Sequence, residues 1–457
     1  MKFLVREKEF YRRFFTMAVV LILQNVITLS VNLADNIMLG AYSEASLSGV
    51  AAVNQVQFIY QQILLAIGEG IVILGAQYFG KGQIRPIKRI AAGAMRLALA
   101  VAVGLFLLVS CCPHLILSAF TTDERIIQQG MEYIRVIRYT YLFFAVTQIL
   151  LATLRSTGVV HIALYLSVCA LGVNCVINYI LIYGHFGAPR MGVTGAAIGT
   201  LTARIVELAI LLFYIHFREK NLLLKLRDYL KRDGALWRDY IRVIAPILVV
   251  NGLWGLNTAA QNAILGHMTS QAIAANSVAS TLFMMVKSTA VGSASAASFL
   301  IGKTIGEGNR DKLRQYARTM QVLFVVIGIF SSILLFFIRI PILSLYQLES
   351  GTRAMADQFL LILCVVVVTM SYQMPTNTGI IRGGGDTKFV MKVDLISIWG
   401  VVMPLSFVMA FVVKASPTTV LWCLNADQIF KCVPAFLKAN YGHWAKKLTR
   451  TEEPGAL

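Results

Sequence analysis

The stretch Gln24–Gly40 reads QNVITLSVNLADNIMLG and lies inside the first long apolar segment of the chain. Its polar residues are spaced three, four and three positions apart, so on a helix they share one face. A carboxylate in a membrane helix costs at least about 2.5–3.5 kcal/mol, so it normally faces protein or a water-filled cavity. The pattern indicates either an ion or proton site or a structural aspartate bonded to a neighbouring helix. The residues of this polar stripe are Asn25, Thr28, Asn32 and Asp35.

Composition points to a membrane protein. Of 457 residues, 57% are hydrophobic and only 14% are charged, whereas soluble domains carry about 25% charged residues. The apolar runs have helix length, which indicates an all-α polytopic membrane protein and excludes a β-barrel. The net charge of +19 comes from short basic clusters between apolar segments. That distribution is typical of cytoplasmic loops, so we expect no nucleic-acid partner.

Turn residues and basic loops divide the chain into twelve predicted membrane helices, with both termini cytoplasmic in a cell membrane. We expect an amino-terminal lobe over 1–217, a cytoplasmic linker with an amphipathic helix over 218–242, a carboxy-terminal lobe over 243–437 and a cytoplasmic tail over 438–457. The predicted spans cover about 14–40, 47–79, 90–111, 126–154, 162–182, 193–217, 243–266, 272–305, 313–338, 353–381, 389–413 and 418–437.

The second half of the chain repeats the first. DNIMLG, ending at Gly40, aligns with QNAILG, ending at Gly266, an offset of 226 residues. GKGQ at 80–83 aligns with GEGN at 306–309 at the same offset, and RSTG at 155–158 aligns with RGGG one residue further on. Two parallel six-helix lobes are therefore expected, related by a pseudo-twofold axis along the membrane normal with a cavity between them. This indicates a secondary transporter, and no GxxxxGK[ST] sequence supplies an ATP motor.

The two halves differ in one titratable group. Asp35 aligns with Gln261, which forms hydrogen bonds but does not bind a proton near neutral pH. Cation coupling is therefore predicted in the amino-terminal lobe. The other residues of the stripe align with Asn251, Trp254 and Thr258.

Candidate partners for Asp35 lie on the fifth and sixth predicted helices. Asn174 and Asn178 are four residues apart on one helix face, and Thr200 lies in GAAIGT, whose small residues permit close helix approach. These oxygens suit Na⁺, and they equally suit an aspartate that alternates between charged and protonated forms. We predict a cation site for H⁺ or Na⁺ and leave the choice of ion open.

Other residues in apolar runs are candidates either for a drug cavity or for ordinary packing. The cavity candidates are Asn25, Thr28, Asn32, Tyr60, Asn251, Trp254, Thr258, Gln261, Met284, Lys287 and Tyr372.

Several charged residues also stand in apolar runs. Arg204 and Glu207 are three apart and are predicted to pair. Lys287 is either a cavity cation or the partner of a carboxylate. Asp394 is either a second proton site or, as its place near the inner loop favours, structural. Glu69 and Arg96 receive no predicted role.

Beyond Na⁺ as a possible coupling ion, no metal and no organic cofactor is expected. The seven cysteines contain no CxxC pair and the six histidines have no ligand spacing, so neither a disulfide framework nor a transition-metal site is predicted. An enzyme would need His or carboxylate groups clustered near one interface, and the sequence offers none.

The sequence resembles the MATE family, the multidrug and toxic compound extrusion transporters. The matching stretches are LADNIMLG, QYFGKGQ, LRSTG, VNCVINYILIYGHFGAPRMGVTGAAIGT, IRGGGDT and VDLISIWGVVMPL, which extend over nearly the whole chain. The resemblance implies a twelve-helix, two-lobed exporter of organic cations and other drugs in exchange for Na⁺ or H⁺. It also implies an amino-lobe cation site at Asp35, Asn174, Asn178 and Thr200.

The chain departs from the family pattern at two positions. Asn178 stands where some members carry an aspartate, and Val20 stands where a proline is frequent, while Pro246 is kept in the seventh helix. The related alternative is a lipid-linked precursor flippase or polysaccharide exporter of the same superfamily, which would need a wide cationic cavity. Small drug-like molecules and the bilayer are the expected partners, with one chain acting as a monomer.

Overall fold

Helices make up nearly all of the chain. The computed structural model describes residues 4–121, 123–219, 222, 228, 233–344 and 349–450. Eleven helices within these ranges are long and apolar enough to cross a membrane, and one bent pair adds a twelfth. The predicted all-α, multi-pass class is therefore confirmed.

Within the described ranges, the first half of the chain contains eight α-helices. They are α1 (Lys8–Tyr42), α2 (Glu44–Gly80), α3 (Ile84–Cys111), α4 (Pro113–Ser118), α5 (Glu124–Ile137), α6 (Thr140–Arg155), α7 (His161–Tyr183) and α8 (Val193–Phe217).

The described part of the second half contains nine more α-helices, several of them short. They are α9 (Gly234–Met268), α10 (Ser270–Glu307), α11 (Arg310–Leu343), α12 (Ser350–Met374), α13 (Thr387–Leu395), α14 (Met403–Phe407), α15 (Pro417–Leu424), α16 (Ala426–Phe430) and α17 (Cys432–Tyr441).

Local sequence explains where these helices begin and end. The side chains of Asp123 and Asn309 accept hydrogen bonds from the first-turn amides of Arg125 and Lys312, which caps α5 and α11. Gly308 ends α10 with φ +78°, a conformation that a side chain would strain. The predicted amphipathic helix within 218–242 falls largely outside the described residues, and α9 already begins at its far end.

The fourth predicted span, a single helix over 126–154, is wrong in one respect. It consists of α5 and α6, bent by 55° at Arg138 and Tyr139. No proline or glycine marks the bend. The Thr140 hydroxyl donates to the carbonyl of Ile137 at 2.6 Å, and such a bond competes with the regular helical ladder.

The last three predicted spans are also less regular than expected. After Met374 the chain continues as a π-helix over Pro375–Ile381, and Ile396–Val402 and Val408–Val412 are π-helical as well. Pro375 has no N–H to donate, so the regular hydrogen-bond pattern is lost there. The predicted span 418–437 is divided among α15, α16 and α17.

Packing divides the chain into two compact units. The amino-terminal unit comprises Leu23–Gly75 and Gln83–Ile241, and the carboxy-terminal unit comprises Met1–Ile22, Ala76–Gly82 and Arg242–Leu457. Compared with the predicted lobes, the start of α1 and the last turn of α2 belong with the second half of the chain.

In the carboxy-terminal unit, residues 442–450 of the tail form a packed strap. The Gln77 side chain donates to the Lys446 carbonyl at 3.1 Å and accepts from the Leu448 amide at 2.9 Å. The Lys446 amide donates to the Gly384 carbonyl at 2.8 Å. Lys446 and Lys438 both pair with the buried Asp386 carboxylate, at 2.8 and 3.0 Å. The strap therefore holds the end of α2 against the turn before α13.

Candidate functional site

The amino-terminal unit places Asp35 of α1 against α7. Asn178 Nδ2 donates to Asp35 Oδ1 at 2.6 Å. Asn178 is fully buried, and Asp35 is half-buried. The carboxylate that the sequence singled out is therefore bonded to a neighbouring helix by an amide that has no contact with solvent.

The predicted partners of Asp35 form one hydrogen-bonded chain. Asn178 Nδ2 also lies 3.3 Å from Asn174 Oδ1 on α7, and Asn174 Nδ2 lies 3.3 Å from Thr200 Oγ1 on α8. The structure thus brings all four predicted cation-site residues together within one unit. One carboxylate, two amides and one hydroxyl are connected across three helices.

Glycine makes this arrangement possible. A Cβ atom at Gly199 of α8 would lie 2.1 Å from Asn178 Oδ1, and one at Gly195 would lie 2.8 Å from the Leu181 backbone. α7 and α8 approach closely because these positions carry no side chain. Asn178 Oδ1 is buried and has no hydrogen-bond partner in the described part of the chain. The site therefore contains one acceptor that is unused while Nδ2 faces Asp35.

Charged and aromatic groups surround the site. Arg204 acts electrostatically on Asp35, and its guanidinium lies 4.7 Å from the centroid of the Phe144 ring. Arg204 Nη1 pairs with Glu207 Oε2 at 2.8 Å, which confirms the predicted pair. The buried Tyr133 of α5 is close enough to act on Asp35 and Thr200. The carboxylate of Asp35 therefore lies near one arginine that is itself paired with Glu207.

The remaining candidates in the amino-terminal unit differ in exposure. Thr28 Oγ1 donates to its own helix at the Gln24 carbonyl, 2.9 Å away. Asn32 is exposed and Asn25 is half-buried. Tyr60 is buried, and its hydroxyl donates to the Tyr141 carbonyl at 2.6 Å, so its contacts are those of a packing residue.

The candidates in the carboxy-terminal unit are mostly on α9. Lys287 Nζ of α10 lies 4.5 Å from the centroid of the Trp254 ring, and Thr258 Oγ1 donates to the Trp254 carbonyl at 3.1 Å. Tyr372 donates to Gln321 Oε1 at 2.9 Å. The other predicted residues of this unit are half-buried: Asn251, Gln261 and Met284.

Glu69 and Asp394, two of the charged residues in predicted spans, form ion pairs. Arg155 Nη2 pairs with Glu69 Oε1 at 3.2 Å in the amino-terminal unit. Lys431 Nζ pairs with Asp394 Oδ1 at 2.7 Å and with Asp427 Oδ2 at 3.0 Å in the carboxy-terminal unit. Sequence reasoning missed Asp427 and Lys431, although their spacing of four residues in an apolar run was a usable signal.

Multiple membrane spans, a duplicated sequence and a carboxylate inside a span are typical of a membrane transporter. The MatE family model matches residues 21–180 and again 246–408, which together are more than half of the chain. The chain belongs to the MatE family, and the predicted resemblance is confirmed. Two matches of one model also agree with the internal repeat.

Known relatives and solved structures are similar to this chain over most of its length. The chain is 25% identical to a probable multidrug resistance protein NorM of Thermotoga maritima, over 94% of this chain and 92% of that protein. It is 28% identical to a probable multidrug resistance protein YoeA of Bacillus subtilis, over 78% and 77%. An outward-facing MATE family transporter of the MOP superfamily has the same fold, with a TM-score of 0.85 at 18% identity, over 95% and 97% of the two chains.

Proposed function

We propose that the protein is a secondary active antiporter that exports organic, mainly cationic, compounds in exchange for H⁺ or Na⁺. The observation that carries the proposal is the 2.6 Å contact between Asn178 Nδ2 and Asp35 Oδ1. This contact supports a carboxylate that is half-buried by helix packing and has no basic side chain bonded to it among the described residues. The NorM and YoeA relatives are named as probable multidrug resistance proteins, and this supports drug export as the activity.

The exchange centres on the charge of Asp35. In the ionised state, Asn178 donates to the carboxylate and Arg204 balances part of its charge. A proton on Asp35 turns one carboxyl oxygen into a donor. The unused Asn178 Oδ1 is the acceptor for that donor once the amide rotates. Binding and release of the cation thus reorganise the contact between α1 and α7.

The donor geometry favours H⁺ over Na⁺. Na⁺ needs several oxygen atoms converging on one point, whereas the Asn178 amide presents its nitrogen to Asp35. Asn178 Oδ1 is turned instead toward Gly199. Either cation still fits the chemistry of the four residues, so the experiment must separate the two.

Location and assembly are part of the same proposal. We place the protein in a cell membrane with both termini on the cytoplasmic side, because the basic clusters occur at one end of the spans. We propose a monomer, since a single unit of one chain supplies all four cation-site residues. Small drug-like molecules and the bilayer are the proposed partners, without an organic cofactor.

Reconstituted vesicles test the exchange directly. Ethidium efflux would be followed with a Na⁺ gradient and a pH gradient imposed separately. Asp35→Asn is expected to abolish efflux driven by the effective gradient while leaving thermal stability close to that of the wild type. Asp357→Asn, which removes a carboxylate paired with Arg339 at 2.9 Å, is the matched control and should keep efflux. Uphill efflux by Asp35→Asn would overturn the proposal.

A further inference from the structure

The last turns of α2 and α10 cross at two glycines within the carboxy-terminal unit. A Cβ atom at Gly80 would overlap the Lys303 carbonyl. One at Gly306 would overlap the Gln77 carbonyl. Gly306 is the repeat equivalent of Gly80 at the offset of 226 residues, and Lys303 is the equivalent of Gln77 at the same offset. Equivalent positions of the two sequence repeats therefore meet backbone against backbone at the ends of two membrane-spanning helices.

The strap, residues 442–450, binds the α2 side of this crossing. The fully buried Gln77 side chain forms two hydrogen bonds with the strap backbone, one as donor and one as acceptor. The Arg450 amide donates to the Tyr78 hydroxyl at 3.2 Å, and the Arg450 carbonyl accepts from Lys81 Nζ at 3.2 Å. Residues 77–81 therefore hold the strap by its main chain.

The strap is also anchored at the turn before α13. Lys446 donates its amide to the Gly384 carbonyl and its ammonium to Asp386, both at 2.8 Å. Trp444 is 5% exposed, and a Cβ atom at Gly384 would lie 2.5 Å from its ring. This anchor therefore depends on an aspartate for the ion pair and on a glycine that leaves room for the tryptophan.

The first half of the sequence lacks the residues of this anchor. At the offset of 227 residues that aligns RSTG with RGGG, Asp386 corresponds to Val159 and Gly384 corresponds to Thr157. Valine cannot pair with a lysine, and a threonine side chain would occupy the space that the Trp444 ring fills. The second half therefore differs from the first at the positions where the strap binds, which indicates a specific docking site for the tail.

The strap connects the two sequence repeats. It binds Gln77 of the first repeat and Asp386 of the second. Only the end of α2 belongs to the carboxy-terminal unit, and the helix is part of the amino-terminal unit up to Gly75. Transporters built from such repeats open alternately to each side when one repeat moves against the other. A movement that separates Gly80 from Gly306 would have to detach the strap from one of its two attachments.

We propose that the strap is a latch that keeps the cytoplasmic ends of α2 and α10 together, and that opening toward the cytoplasm requires its release from α2. The inference rests on the proposed antiport, because an alternating-access cycle is what requires these ends to separate. Release occurs on the α2 side, since the hydrogen bonds there are partly or fully exposed. The opposite attachment is stronger, because the buried Asp386 carboxylate pairs with two ammonium groups.

Distances between two spin labels test the latch without a transport assay. The labels would be attached through Arg85→Cys and Asp311→Cys, two exposed positions that the repeat relates, in a chain whose seven native cysteines are replaced. Purified protein in lipid nanodiscs would be measured by double electron–electron resonance. Gln77→Ala is expected to raise the ratio of long to short distances at least about fivefold, because two hydrogen bonds of the closed state are lost.

Two variants at other positions support the measurement. Asp386→Asn weakens the opposite attachment of the strap and should shift the ratio in the same direction. Gly306→Ala adds a methyl group at the crossing itself and should favour the long distances while the strap residues are unchanged. Gln128→Ala, at an exposed position of α5, is the control and should leave the distances as in the parent chain.

A strap with a purely structural role gives a different result. Gln77→Ala would then lower the melting temperature without changing the distances, and this outcome would overturn the proposal. An unchanged distance distribution in Gly306→Ala would overturn it too, because the crossing would not be the part that opens. Uphill efflux by Asp35→Asn together with shifted distances in Gln77→Ala would instead contradict the proposed function and leave the latch in place.

Discussion

Asn178 and Asp35 are joined by a 2.6 Å hydrogen bond that connects α7 to α1. The bond fixes the amide with its nitrogen toward the carboxylate and its oxygen toward Gly199. Asp35 is thus held by a group that can act as a donor to the ionised form or an acceptor from the protonated form. This dual capacity makes the contact suitable for cation exchange, because both charge states of Asp35 can be satisfied.

Because α8 lies close to α7 at Gly199, a larger residue at this position is predicted to disturb the site. In Gly199→Ala the new methyl group would meet Asn178 Oδ1 at 2.1 Å, so the amide must move and the Asp35 bond is lost. We expect at least about a tenfold loss of exchange rate, the kinetic equivalent of ~1.4 kcal/mol. Ethidium exchange in vesicles measures it.

The control is Gly172→Ala on α7, where an added Cβ would meet no atom within 4 Å. This variant should keep wild-type exchange and gain slightly in stability, because alanine favours helices over glycine. Equal activity of the two variants would show that the position of Asn178 does not matter.

A second carboxylate at the site should change its ion preference. In Asn178→Asp the new group faces Asp35 at hydrogen-bonding distance, and two carboxylates so close favour uptake of a cation. We expect efflux to become dependent on Na⁺ or to gain a clear response to it, measured by varying Na⁺ at constant pH. Asn178→Ala is the control and should lose exchange without acquiring a Na⁺ response. No difference between these two variants would contradict the prediction.

Sequence patterns identified the amino-terminal site because its members lie on regular helices. Helical spacing grouped Asn174 with Asn178, and small residues around Thr200 indicated close packing, so the four positions could be assembled before any contact was known. Gly199 was not identified, because its role depends on a contact with Asn178 Oδ1 that exists only in three dimensions.

The ion pairs of Lys431 with Asp394 and Asp427 were harder to predict for a physical reason. The two aspartates come from segments interrupted by π-helical turns or breaks, where a strict helical period no longer assigns faces. The residue that the repeat aligns with Asp35 is Gln261, which lacks charge, so the repeat does not point to the acidic residues of the last helices. The bend at Tyr139 escaped prediction similarly, since a threonine hydroxyl rather than a proline accompanies it.

The packed tail predicts a stability effect far from the cation site. Gln77→Ala would leave the Lys446 carbonyl and the Leu448 amide without their partner. A fully buried group left unsatisfied costs about 1–3 kcal/mol, and these two groups are only partly buried, so the expected loss is at the lower end. We expect a lower melting temperature in detergent, measured by a thermal-shift assay. Gln128→Ala, at an exposed position, is the control and should leave the melting temperature unchanged.

The same strap predicts a pH dependence. Burial alone would raise the pKa of Asp386, but hydrogen bonds from Lys446 and Lys438 outweigh it and hold the pKa below its usual value of 3.8. Because the pKa is depressed in the folded state, Asp386 contributes stability at pH values above its unfolded pKa, and this contribution is lost as pH falls through the folded pKa. Asp386→Asn should therefore lower the melting temperature at neutral pH, and its melting temperature should approach that of the wild type below about pH 4.

Thermal unfolding across this pH range measures the difference. Glu9→Gln, which changes an exposed pair with Arg13, is the control. A constant difference between Asp386→Asn and the wild type at every pH would show that the ionised carboxylate is not what holds the strap.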